Sequence, residues 1–294
     1  MAPKTNLAGS ICALVTPFRA GAFDRDAYAA TIERQISAGT HGVVAVGTTG
    51  ESATLRMDEH VEVVRACVEI VGGRVPVIAG AGSNDTAAAI RLADGAAEAG
   101  ADALLACTGY YNKPSQAGLI AHYEALCEAV PLPVVVYNVP GRTACDVSVE
   151  TMVVLSRLPG VVAVKDATGD LARVARHRLL CEPGFVQISG EDATMVGFNA
   201  MGGRGCISVL ANVAPRHCAL LQTATLEGRW EDARVLQDRL APMAHALFAD
   251  TNPAPVKYAL SRLGLCDESF RLPMVPASER ARRMVDDAMT DLDL

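Results

Sequence analysis

The chain has 294 residues, half of them hydrophobic, one fifth charged and 4% aromatic, with a formal net charge of −7. That balance excludes intrinsic disorder, and without a clustered basic stripe it excludes an electrostatic surface for nucleic acid or an anionic membrane. Nine cysteines, an odd number with no CxxC pair, fall mostly inside apolar runs such as ALLACT and RGCISV, where small buried hydrophobes explain them better than disulfides or zinc.

Ala129 to Gly141 is uncharged but carries Pro131, Pro133 and Pro140 and is too short to cross a bilayer. The N-terminal segment MAPKTNLAGSICALVTPF lacks the long apolar core of a signal peptide, so a cytoplasmic protein is expected. The six histidines are dispersed, and DEH at 58–60 lacks the second histidine of HExxH, so no metal is expected.

From Gly9 to about residue 225, short apolar, β-branched runs alternate with segments of helical period. In chain order the runs are SICALVTPF, GVVAVG, VPVIAGAG, ADALLACT, LPVVVYNVP, VVAVKDAT, FVQISGED and GCISV. Met57, Val61, Val64, Val68 and Val71 predict one face of a helix after the second run; Leu119, Tyr123, Leu126 and Val130 predict another after the fourth. Gly39 and Gly100 stand where helix C-caps expect glycine. Eight strand-helix units predict an α/β protein, a (β/α)8 TIM barrel over residues 1–225, since each parallel strand needs a crossover helix and eight close the sheet. A doubly wound sheet rarely needs eight such regular repeats. Residues 226–294 read as a C-terminal helical extension with segments around 229–249, from Asn252-Pro253, and near 276–292.

Barrel chemistry sits at the C-terminal ends of the strands. There the second run ends in Gly47-Thr48-Thr49-Gly50-Glu51, the fifth in Tyr137-Asn138, the sixth in Lys165-Asp166 and the seventh in Gly190-Glu191-Asp192, all expected to point into one mouth. Lys165 is the sharpest signal. Burying an amine disfavours its charged form and exposes a nucleophilic lone pair. The alternative is a structural lysine paired with Asp166 or another carboxylate, although strand alternation turns Asp166 outward. Tyr137, on the adjacent strand, is either a proton shuttle or a core aromatic with a backbone partner. The Gly47–Glu51 turn offers two hydroxyls and several amides to a small carboxylate. Arg142 could clamp a second carboxylate or lie in solvent. GAGSND at 80–85 lacks the third glycine of a dinucleotide fingerprint, and Met201–Gly205 reads as a plain turn. Tyr110 and Tyr111 in one loop suggest a subunit interface.

Six motifs, GTTGESATL (47–55), YYNKPSQ (110–116), YNVPGRT (137–143), VKDATGD (164–170), SGEDA (189–193) and ISV (207–209), run through nearly the whole chain. In this order they resemble the dihydrodipicolinate synthase branch of the pyruvate-dependent class I aldolases, a superfamily that also contains N-acetylneuraminate lyase. The resemblance implies a Schiff base between Lys165 and pyruvate, with no cofactor. It also implies a proton relay of Tyr137, Thr48 and Tyr111, with Tyr111 supplied by a neighbouring subunit of a tetramer built from two dimers. Thr48 and Thr49 would bind the pyruvate carboxylate, Gly190 and Ile207 would border the site through their backbone, and Arg142 would hold the carboxylate of aspartate 4-semialdehyde. Sugar-acid lyases of the superfamily lack an arginine in this motif, so Arg142 separates the synthase from a lyase or dehydratase on the same scaffold. A catalytically silent pyruvate or lysine sensor is a third reading. An effector lysine pocket would use Ser52, Ala53, His60, Asn84 and Tyr110. Ala88 and Met57 replace the glutamate and histidine of inhibited members, which implies weak or absent inhibition.

Overall fold

The computed structural model describes residues 7–292 and 294; the first six residues of the N-terminal segment lie outside them. All eight apolar runs become parallel strands: β1 (Gly9–Ala13), β4 (Gly42–Ala45), β5 (Val77–Gly80), β6 (Ala103–Cys107), β7 (Val134–Asn138), β8 (Val161–Asp166), β9 (Val186–Ser189) and β10 (Gly205–Ser208). A two-stranded hairpin, β2 (Phe18–Arg19) with β3 (Ala22–Phe23), intervenes after β1; strands of two residues are too short to show alternation in sequence. The large sheet closes in the order β1-β10-β9-β8-β7-β6-β5-β4, so chain neighbours are spatial neighbours all round a TIM barrel.

Closure needs glycine. Gly9 pairs with Gly205 across the β1–β10 seam, and a Cβ on Gly205 would lie 2.3 Å from the Gly9 carbonyl oxygen. Strand alternation then sorts the side chains. Ile11, Val44, Ile78, Leu105, Val135 and Ile207 fill the barrel, while Val43, Val77, Leu104, Val134 and Val164 face the helices. Each such side chain is fully or almost fully buried, a contribution of roughly 1.5–3 kcal/mol apiece.

The helices of the outer layer are α1 (Arg25–Ser37), α2 (Met57–Val71), α3 (Thr86–Glu98), α4 (Gln116–Ala129), the single turn α5 (Pro140–Thr143), α6 (Val149–Leu155), α7 (Leu171–Leu180), α8 (Met195–Ala200) and α9 (Pro215–Leu226). Asp24, Asp85, Ser115 and Asp170 cap α1, α3, α4 and α7 by accepting backbone N–H bonds in the first turn. Gly39 and Gly100 follow the ends of α1 and α3 at φ 89° and 87°, as their positions predict.

The α4 stripe is buried along its length, and Tyr123 Oη donates to the Ala106 carbonyl at 2.8 Å. The α2 stripe is rotated from its expected place. His60, Val63, Val64, Cys67 and Val71 form the buried face, Met57 is exposed, and Val61 and Val68 turn sideways to meet Gly95 and Gly100 beside α3. A helix wedged between two neighbours buries more than one stripe, and valines mark both arcs. All nine cysteines are free, with Cys12, Cys67, Cys145, Cys206 and Cys218 buried.

A C-terminal helical extension follows: α10 (Trp230–Ala246), α11 (Ala254–Arg262) and α12 (Glu279–Asp291). Among the described residues no helix is long and apolar enough to cross a membrane.

Candidate active site

Tyr137 and Lys165 are register partners on β7 and β8, one step before the strand ends, so both side chains enter the barrel from adjacent strands. Lys165 is 6% exposed, and its Nζ lies 4.1 Å from the centroid of the Tyr137 ring. Among the described residues Lys165 joins no ion pair. The following pair, Asn138 and Asp166, points the other way, as alternation predicts. Asp166 lies 3.4 Å from Arg173 Nε and accepts from the Thr168 N–H and hydroxyl; Arg173 reaches on to Asp146, which accepts from Asn138 Nδ2 at 2.8 Å. The outward residues thus tie the two strand ends together behind the inward pair. Gly190 makes room for the lysine, since a Cβ there would sit 3.1 Å from Lys165 Cε and 2.8 Å from Ala167 Cβ.

The Gly47–Glu51 loop begins after Val46 at φ 50° and ends with Glu51 at φ 55°. Left-handed backbone is costly for such residues, of order 1–3 kcal/mol each, and marks a loop held by its surroundings. Gly80 permits the bend, because a Cβ there would meet the Val46 carbonyl oxygen at 2.2 Å. The amides of Gly50, Glu51 and Ser52 bond back within the loop, to Gly47 and Thr48 carbonyls. Those of Thr48 and Thr49 take no such partner among the described residues. Thr49 Oγ1 accepts from Asn252 Nδ2 at 3.0 Å, which leaves its proton free to donate.

A cavity of about 510 Å³ opens above the barrel and is lined by Thr48, Tyr137, Val139, Arg142 and Asn252 among others. Lys165, Thr49, Gly190 and Ile207 stand back from its walls, with Lys165 behind the Tyr137 ring that lines the cavity and Ile207 within the barrel core. Arg142 sits on α5 rather than in an open loop, with its guanidinium at the mouth and Nη2 3.5 Å from the Asn252 carbonyl oxygen. Of the seventh run's expected contribution only Gly190 stands beside Lys165; Glu191 and Asp192 are engaged elsewhere. Asp192 turns out of the barrel and accepts the N–H groups of Val209 and Leu210, each at 3.0 Å, and Glu191 caps Ala193. Burial pushes both carboxyls up.

Tyr111 is 92% exposed at φ 69°, away from the cavity of its own chain, whereas Tyr110 lines that cavity. Ser52, Ala53, Met57, His60 and Ala88 line the same space, while the Asn84 carbonyl accepts from Asn112 Nδ2. Sequence reasoning missed Asn252 and Lys257, the residues that grip the threonine loop from α11 and its approach. Among the described residues no cluster of three His, Cys, Asp or Glu side chains is placed to hold a metal ion.

Burial lowers His60 from 6.5 to about 4, so the folded chain holds a neutral imidazole where the unfolded chain takes up a proton. This contribution to stability is complete above the unfolded value and is lost as pH falls toward the folded one. Between about pH 7 and about pH 5 the chain should lose about 2 kcal/mol from this residue. Denaturant melts should show that loss in the parent and a shallower one in His60→Gln.

The fold and site define a (β/α)8 enzyme class with a buried lysine and a tyrosine side by side at the barrel mouth. The family model described as the dihydrodipicolinate synthetase family matches residues 6–292, and the chain belongs to that family. A curated relative from Methylobacterium radiotolerans, named 4-hydroxy-tetrahydrodipicolinate synthase, is 56% identical over 97% of this chain and 95% of its own length. The 4-hydroxy-tetrahydrodipicolinate synthase structure from Methylacidiphilum fumariolicum superposes with a TM-score of 0.96 at 38% identity, covering 98% of this chain and 96% of that one. The chloride-inhibited dihydrodipicolinate synthase from Acinetobacter baumannii, solved with pyruvate, gives 0.95 at 41% identity, covering 98% of this chain and 99% of that one.

Proposed function

We propose that the chain condenses pyruvate with aspartate 4-semialdehyde to 4-hydroxy-tetrahydrodipicolinate, a step of lysine and diaminopimelate biosynthesis, through an imine on Lys165. The observation that carries this reading is the Lys165 amine, buried, outside any ion pair among the described residues, and 4.1 Å from the Tyr137 ring. Lys165 Nζ attacks pyruvate C2 and the carbonyl oxygen leaves as water. Having given its phenol proton to that departing oxygen, Tyr137 as phenolate takes a proton from the methyl group, which the iminium acidifies, to give an enamine. The enamine carbon bonds to the aldehyde carbon, whose oxygen takes up a proton. The amine of the semialdehyde then replaces Lys165 at C2, which closes the ring and frees the enzyme.

Thr48 and Thr49 hold the pyruvate carboxylate with hydroxyls and their two open amides, and Gly190 and Ile207 bound the site by their backbone. Tyr111 projects from its own chain, which suits donation to the relay of a second copy in a dimer, two dimers making a tetramer. The reaction is placed in the cytoplasm. Incubation with both substrates and chromatographic detection of the cyclic product test the reading. Product from pyruvate and a sugar-derived aldehyde, but none from the semialdehyde, would favour the lyase alternative instead.

Lysine should inhibit weakly. Ser52, Ala53, His60 and Tyr110 line the same cavity as Thr48 and Arg142, and Ala88 beside them presents no carboxylate to a cationic ligand. A half-inhibitory concentration above about 1 mM is expected in steady-state assays, and submillimolar inhibition would refute it.

A further inference from the structure

The two ends of the Gly47–Glu51 loop lie in left-handed backbone, a state that persists at Val46 and Glu51 only where the surroundings over-determine it. One anchor comes from the segment after β1: the Thr16 hydroxyl donates to the Gly50 carbonyl at 2.7 Å. The other three come from the C-terminal extension. Asn252 Nδ2 donates to Thr49 Oγ1 at 3.0 Å, the Arg271 N–H lies 3.4 Å from Glu51 Oε2, and Lys257 Nζ donates to Glu51 Oε1. The Lys257 side chain is wholly buried and that of Glu51 is 1% exposed. Lys257 also donates to the Ser269 carbonyl at 2.9 Å, and its ammonium lies 4.4 Å from the Phe18 ring centroid and 5.2 Å from that of Phe270.

A buried ion pair contributes little net stability compared with an apolar pair of similar volume. What this pair supplies is geometry: a charge-assisted bond between α11 and the residue that terminates the loop two positions after Thr49.

We propose that Lys257 is a positioning residue for keto-acid binding: by holding Glu51 it sets the backbone of the loop, and with it the Thr48 and Thr49 groups that receive the pyruvate carboxylate. The proposal rests on the reading that Thr48 and Thr49 bind that carboxylate and Lys165 forms the imine. Displacements well below 1 Å at a binding loop lower affinity while leaving the nucleophile intact. Lys257 touches neither substrate nor Lys165 in this account, so its loss should appear in pyruvate saturation more than in the rate at saturation.

The test titrates pyruvate against the full-length chain, reduces the adduct with borohydride and quantifies modified Lys165 by mass spectrometry. The variants are Lys257→Met and the double Glu51→Gln, Lys257→Met, the latter leaving no uncompensated buried charge should the single variant fail to fold. Half-saturating pyruvate should rise about tenfold in both, with the adduct still on Lys165 and the condensation rate at saturation changed by less than about threefold. Folded variants that saturate at the parent's pyruvate concentration overturn the coupling alone. A parent chain with no adduct on Lys165 overturns both the imine reading and the coupling built on it.

Discussion

Lys165→Ala should reduce condensation by roughly 10⁴-fold or more, because on the proposed mechanism the substitution removes the covalent nucleophile and not a contributor to binding. The loss should be in kcat at every pyruvate concentration. The variant should remain folded: Lys165 joins no ion pair among the described residues, and the buried Asp192 carboxyl near it keeps the N–H bonds of Val209 and Leu210. Circular dichroism and size-exclusion chromatography establish the fold, and a steady-state assay measures the rate. Substantial condensation by a folded Lys165→Ala chain would show that pyruvate is activated elsewhere.

Arg142→Ala should separate the two halves of the reaction. Its guanidinium lies at the cavity mouth 3.5 Å from the Asn252 carbonyl, beyond Tyr137 and Thr48, where a second substrate would arrive. Arg142 is exposed in the free chain, and where the arriving substrate buries its contact with a carboxylate, truncating it costs about 2–5 kcal/mol, so kcat/KM for aspartate 4-semialdehyde should fall about a hundredfold. Pyruvate adduct formation should change less, since Arg142 meets the threonine loop only indirectly, through Asn252, whose amide donates to Thr49. Parallel loss of adduct would place Arg142 on pyruvate instead and remove the feature that separates the synthase from the sugar-acid lyases.

Much of the barrel was legible because parallel strands covered on both faces are written as unbroken apolar runs. The same grammar made Lys165 conspicuous, as an amine after four small apolar residues, and placed Tyr137 one strand away in matching register. Strand alternation correctly turned Asp166 outward. The expectation that every run's end points into the mouth misplaced Asp192, because the chain leaves β9 at Ser189 and Asp192 then accepts the Val209 and Leu210 amides. The α2 face was rotated because helix neighbours, invisible to a single-helix period, bury valines that do not face the barrel.

Lys257 and Asn252 escaped notice for another reason. Their partners Glu51 and Thr49 lie 206 and 203 positions away, and no local spacing encodes such contacts. Yet PVKYAL carries a lone lysine among apolar residues that prove to be buried, the same incongruity that singled out Lys165. Applied evenly, that signal would have marked both lysines and joined the C-terminal extension to the mouth of the barrel.

In the proposed reaction one amine at the end of β8 becomes covalently bonded to pyruvate. Borohydride reduction of the chain in the presence of pyruvate, followed by peptide mass spectrometry, tests it directly. The mass of one reduced pyruvate on the peptide containing Lys165, and its absence when borohydride is omitted, is the predicted result. An unmodified chain, or an adduct confined to Lys257 or to surface lysines, would contradict it.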